Sequence, residues 1–173
     1  MNHQPVSDKQ LAWLRAVARF CREQDAPCMQ RSDPPHLLVE WRVEEQPWLV
    51  QVSPASDWGL LFLLPLDTIP ASHALAALMA SGAVNFVLAL ACVEFEPARR
   101  EARVRVALAL AEPPAALLIA TAFQALEKAL IGFVQAIEFF KALEEAQARE
   151  QRAQQTEERS FGAGLWVLQQ ARD

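Results

Sequence analysis

The sequence predicts an α+β fold of the order α-βββ-α-ββ-α, an antiparallel sheet packed by helices and closed by a long C-terminal helix. Three observations predict it. Apolar and polar residues alternate with period two in separated blocks, "LLVEWRV" and "ARVRVALAL", as expected of half-buried strands. A capped segment with helical spacing opens the chain, and a proline-started apolar segment with spacings of four and three runs toward its end. With 173 residues, 53% of them hydrophobic, the chain is long enough for one domain with a substantial core.

The first helix begins after Ser7, which caps it; Gln10 completes a capping box, and Leu11, Leu14, Ala18 and Cys21 form its apolar stripe. It should end before Pro27. After the breaker "SDPPH", Leu37, Val39, Trp41 and Val43 alternate with Leu38, Glu40 and Arg42, giving a strand with one wet face. "EEQP" connects this strand to "WLVQV", and "PASD" separates that from "WGLLFLLPL", whose apolar character on both faces suits a central or covered strand. Pro70 suits the first turn of a helix over 71–81 that ends near Gly82.

The second β block is a hairpin formed by "NFVLALACVEFE" and "ARVRVALAL". Val93, Phe95, Val104 and Val106 point one way, and Glu94, Glu96, Arg103 and Arg105 the other. A fold-back at Arg99-Arg100 places Phe95 opposite Val104, Glu96 opposite Arg103 and Glu94 opposite Arg105. These charges set register more than stability, since each exposed pair contributes about 0–1 kcal/mol. The last helix starts at Pro113-Pro114 and carries Ile119, Phe123, Leu126, Leu130, Phe133, Ile137 and Phe140 on one stripe. That stripe packs on the sheet or, where the helix outruns it, on a second subunit. The chain divides into a domain over 1–146 and an extension over 147–173. The extension is polar on every face, either helix or linker, until the apolar island "FGAGLWVLQQ".

A formal charge of −5 and a pI near 5.3 argue against broad phosphate-backbone binding, so no nucleic-acid partner is expected. The arginines after Pro97 sit among Glu94, Glu96 and Glu101, a mixed field rather than a basic stripe. No signal segment opens the chain. Thr68 to Val93 contains no Asp, Glu, Lys or Arg, yet Ser72, His73, Ser81, Gly82 and Asn85 interrupt it. It reads as two core elements, with no membrane insertion. Cys21, Cys28 and Cys92 lack CxxC spacing and read as reduced thiols that pack, consistent with a cytoplasmic protein.

No metal-ligand spacing occurs among the three histidines, and "FGAGLW" lacks the lysine of a phosphate loop. No cofactor is expected. Asp57, Asp67, His73 and Asn85 are the polar groups an enzyme would draw on, but they show no triad or carboxylate-pair spacing.

The stretch "LMASGAVNFVLALACVEFEPARREARVRVALAL" followed by the proline-started helix, within the whole order of elements over 7–146, resembles the type III secretion chaperone-like fold. More specifically it resembles the bacterial YbjN-like proteins, including their cyanobacterial relatives. The resemblance implies a small, often dimeric protein-binding scaffold rather than an enzyme; the secretion chaperones wrap an extended client segment around their surface. Glu144 to Asp173 departs from the compact chaperone pattern. The expected function is a non-catalytic adapter or chaperone-like module for a protein or peptide client, acting as a homodimer. The alternative is an enzyme or carrier for an apolar small molecule held between sheet and long helix. Trp41, Trp48, Trp58 and Phe62, with Phe161, Leu165 and Trp166 of the terminal island, are the candidate partner contacts, because large aromatics anchor interfaces.

Overall fold

The computed structural model describes the backbone of residues 7–170 and the side chains of residues 7–154. Helix α1 (Asp8–Glu23) starts as its sequence dictates: the Ser7 hydroxyl accepts from the Gln10 N–H and the Gln10 side chain accepts from the Ser7 N–H. Gln10 also donates to the Ser56 carbonyl, tying this cap to a turn of the sheet. Four strands follow, β1 (Cys28–Ser32), β2 (Pro35–Val43), β3 (Gln46–Ala55) and β4 (Gly59–Pro65). A short 3-10 turn (Ala71–His73) leads into α2 (Ala74–Val87), and β5 (Ala91–Glu96), β6 (Glu101–Ala109) and α3 (Ala116–Gln170) complete the chain.

The six strands form one antiparallel sheet in the order β1-β2-β3-β4-β6-β5. β4 is therefore central, as its continuous apolar run requires. Alternation decides which face is covered. Leu37, Val39, Val50, Val52, Leu60, Phe62, Val104 and Val106 are fully buried under α1 and α3, whereas Arg103, Arg105, Ala107 and Ala109 of β6 face outward and are exposed. The layer between sheet and helices is filled by rings. Trp41 stacks on Phe123 with centroids 4.2 Å apart, and Phe62 meets Phe123 edge-on at 5.4 Å.

Three expectations need correction, and one open alternative is decided. The first β block holds four strands rather than three. β1 is almost wholly exposed and exists by pairing with β2, so it carries no apolar pattern of its own. α2 does not stop at Gly82 but continues to Val87, which removes Asn85–Val87 from the following strand. Nothing lies within 4 Å of a Cβ placed at Gly82; the glycine costs helix propensity and does not break the helix. Of the two readings of the polar stretch, helix or linker, the helix is the one adopted, since α3 runs 55 residues through it.

The hairpin register is the third correction. Glu94 lies opposite Arg103, Phe95 opposite Ala102 and Val93 opposite Val104, two positions away from the expected pairing. A fold-back at Arg99-Arg100 would keep Pro97 in the ladder, where it has no N–H to donate. The structure instead places Pro97 in a four-residue turn, closed by the Arg100 N–H on the Glu96 carbonyl at 2.7 Å with Arg100 left-handed at φ 59°. Because the offset is even, every side chain keeps its predicted face. Glu94 then serves both arginines, Arg103 directly opposite at 2.5 Å and Arg105 diagonally at 3.0 Å.

Candidate docking surface

The four aromatic candidates described in the sheet take different places. Phe62 is fully buried against Phe123, a core position with no access to a partner. Trp41 is half-buried and stacks on Phe123; its indole N–H is buried without an acceptor. Trp48 lies opposite Trp41 across the β2–β3 pair and lines a shallow hollow with Leu130, Ile131 and Val134 of α3. Trp58 is exposed in the β3–β4 turn, its carbonyl accepting from the Leu110 N–H at 2.7 Å. Phe161, Leu165 and Trp166 fall within α3, but their side chains lie outside the described residues.

The polar groups considered for catalysis are dispersed. Asp57 lines a hollow with His36 and Ser7, whereas Asp67 lines hollows bounded by Trp48 and by Glu94. The Asn85 amide is occupied structurally: its Nδ2 donates to the Val93 carbonyl and its Oδ1 accepts from the Val93 N–H, both at 2.7 Å. This double bond to backbone fixes the end of α2 against β5. Between sheet and α3, the Phe20, Trp41, Phe62 and Phe123 rings occupy the layer where an apolar small molecule was considered.

Among the described residues, a run of exposed large apolar side chains lies elsewhere, on α2. Ala76, Ala77, Ala80, Ser81 and Val84 form its buried side, packed toward α3 and β5. Gly132 of α3 faces that side, where a Cβ would meet Val84 at an ordinary contact distance of 3.8 Å. Leu75, Leu78, Met79 and Phe86 recur at helical spacing on the opposite side and are exposed, Phe86 to 91%. Val87, the last residue of the helix and 76% exposed, and Leu90 just beyond it add to the exposed apolar surface. A helix that is apolar all round is ordinarily buried all round. This one is buried on one side only, and no charged residue occurs between Thr68 and Val93 to solvate the other.

The outer sheet face is a second, less apolar surface. Leu38, Leu49, Leu61 and Leu63 lie on it, with Leu49 and Met29 prominently exposed, but Glu94, Arg103 and Arg105 share the same face and pair among themselves. Sequence reasoning favoured aromatics and passed over the α2 stripe. The missing charges in 68–93 are its visible signal, but composition alone does not distinguish a buried apolar helix from one buried on a single side.

No family model and no curated protein matches the chain by sequence. Among solved structures the fold is similar to that of YbjN from E. coli, described as a candidate transcription regulator. The TM-score is 0.52 at 10% identity, covering 71% of this chain and 89% of that one. The YbjN-like α+β fold expected from the order of elements is the fold the chain adopts.

Proposed function

We propose that the protein is a non-catalytic, cytoplasmic protein-binding adapter whose principal docking surface is the outer stripe of α2. The observation that carries this reading is the stripe itself, a run of large side chains at helical spacing with no charge among them. Contiguous exposed apolar surface of this kind marks interaction sites in soluble proteins. Its complement is another apolar helical face. A second copy presents such a face under a two-fold axis, so the purified protein is expected to be a homodimer. Net charge −5 and the paired charges around Glu94 support a protein partner over nucleic acid.

The test is Phe86→Asp and, separately, Leu78→Asp, followed by sedimentation and circular dichroism. Burying the Phe86 ring contributes about 1.5–3 kcal/mol, and a carboxylate in its place adds a desolvation cost. Each variant is expected to keep its helical signal and to shift the dimer toward monomer. If the wild type is already monomeric, the same variants should lose a client that the wild type retains. Variants that alter neither association nor client capture overturn the proposal.

A further inference from the structure

The two ends of α3 meet different surroundings. Its first half lies on the sheet, with Phe123 against Trp41 and Phe62. Leu130, Ile131 and Val134 then line one hollow with Val43, Glu44 and Trp48, at the end of the sheet where β2 turns into β3. Among the described side chains none beyond Phe133 is fully buried, yet the helix continues to Gln170. α2 begins at that same end of the sheet, because β2 and β5 run in one direction and their turns lie together. The Leu66 N–H donates to the Ala102 carbonyl and the Ile69 N–H to the Arg100 carbonyl, both at 2.9 Å, which holds the approach to α2 beside the β5–β6 turn. Asn85 ties the other end of α2 to Val93, within β5. α2 and α3 therefore run antiparallel, with Val84 facing Gly132.

α3 thus leaves the sheet past the start of α2 and travels away from its outer stripe. Counted from Val84 and Gly132, Ala80 in the middle of α2 is level with Ala136 of α3. Leu165 lies farther along the same continuous helix by about 43 Å, at about 1.5 Å per residue. The end of α3 cannot reach its own α2 stripe. That end is nevertheless apolar: Phe161, Leu165 and Leu168 recur at spacings of four and three, on one face of the helix, with Gly164 beside them. Residues 161–170 contain no charged side chain, and neither do residues 68–93, which include α2. The charges of α3 are gathered in the polar stretch between its two apolar parts. A second α3 laid antiparallel, about a two-fold near residue 150, sets polar middle beside polar middle and brings each apolar end to the other chain's α2.

We propose that the outer stripe of α2 is covered by the 161–168 segment of a second copy's α3, and that the exchange is reciprocal. This rests on the reading of α2 as the docking surface and names its occupant. The contact is isologous, as a two-fold dimer requires: each chain gives its α3 end and receives the other's. The two surfaces match in charge, since neither carries any. They also match in length, Leu78 to Phe86 spanning about 12 Å of helix and Phe161 to Leu168 about 11 Å. Gly164 lets the incoming helix approach the large side chains Leu75, Leu78, Met79 and Phe86 closely. Pairing α2 with the second copy's α2 would cover the stripe but leave the apolar end of α3 bare. The exchanged arrangement buries both features in one contact.

The experiment compares the full-length wild type with Leu165→Asp, Phe86→Asp and the two combined, by sedimentation over a range of concentrations with circular dichroism to follow the fold. The wild type should be a dimer. Each single substitution should raise its dissociation constant about a hundred-fold, since each enters the dimer twice. The combination should cost less than the product of the two, because both break one contact. Mild oxidation of Phe86→Cys/Leu165→Cys should give a covalent dimer whose non-reducing peptide map joins positions 86 and 165. A wild-type monomer, an intact dimer in folded Leu165→Asp, or a dimer of Phe86→Cys alone joined through position 86 on both chains would each overturn the assignment. If Leu165→Asp leaves the dimer intact and Phe86→Asp disrupts it, the α3 end is not the occupant while the reading of α2 stands. If both leave it intact, that reading falls as well. The peptide map decides the occupant even if an aspartate variant fails to fold.

Discussion

Phe123→Ala separates the part of α3 that belongs to the core from the part that does not. Phe123 is fully buried where three other rings converge: Trp41 at 4.2 Å and Phe20 at 6.1 Å, both stacked, and Phe62 at 5.4 Å, edge-on. Truncating a buried phenylalanine costs about 3–5 kcal/mol through lost transfer energy and the cavity left behind. Aromatic contacts worth about 0.5–1.5 kcal/mol each favour the upper end of that range. Against a total stability of about 5–15 kcal/mol this is a large fraction. Phe139→Ala on the same helix is the matched control, because Phe139 is 64% exposed and its loss should fall within about 0.5 kcal/mol. Urea unfolding followed by circular dichroism and tryptophan fluorescence should show a lower midpoint for Phe123→Ala with an unchanged slope. A cost below about 1 kcal/mol, or one equal to that of Phe139→Ala, would refute the seating of α3 on the sheet.

Gly59→Ala should destabilise by about 2–4 kcal/mol in the same assay. A Cβ there would lie 2.8 Å from the Leu108 carbonyl carbon and closer still to its oxygen, so β4 and β6 must part to admit it; an unchanged midpoint would deny that close approach. Glu45→Gly should stabilise. Glu44 and Glu45 form the β2–β3 turn with φ of 49° and 68°, a strain of about 1–2 kcal/mol per L-residue. Glycine relieves that strain while adding about 0.5–1 kcal/mol of chain entropy, so a net gain of about 0.5–1 kcal/mol is expected in thermal unfolding. Cys28 should show a displaced pH profile for iodoacetamide alkylation. Its thiol is lowered from 9.0 to about 7, so its thiolate is populated at lower pH and its rate should level off above about 7 rather than above 9. Cys21→Ala removes the neighbouring thiol and should move that midpoint upward; a profile unchanged by the substitution would exclude Cys21 as its cause.

Local chemistry was legible wherever the signal was local. Ser7 and Gln10 announce α1 because both halves of the capping box lie within one turn. The strict alternation of β6 announces its two faces. What the sequence withheld depends on distant partners. β1 reads as loop because "CMQRS" has no buried face to advertise, and its ladder comes from β2 alone. Gly82 looks like a helix end, yet the two Asn85 bonds to Val93 hold the next turn in helical form. Among the candidate contacts, Phe62 could not be told from a surface aromatic without knowing that Phe123 sits over it.

The placement of α2 explains why its outer side is left bare. α1 and α3 already cover the inner face of the sheet, so α2 finds cover only from α3 and the edge strand β5. Both contacts fall on the side formed by Ala76, Ala77, Ala80 and Val84. Small residues there let the helix approach closely, and they also mean that the buried side contributes little apolar area for its length. The large side chains, Leu75, Leu78, Met79 and Phe86, are on the other side. A helix stabilised only within the monomer would carry the reverse distribution, with its bulk inward and charge outward. Asn85 prevents the end of α2 from rolling to correct this, since its two bonds to the Val93 backbone hold it against β5 while Phe86 and Val87 project outward. The bulk of α2 is thus presented by a fixed helix, and none of the described side chains covers it.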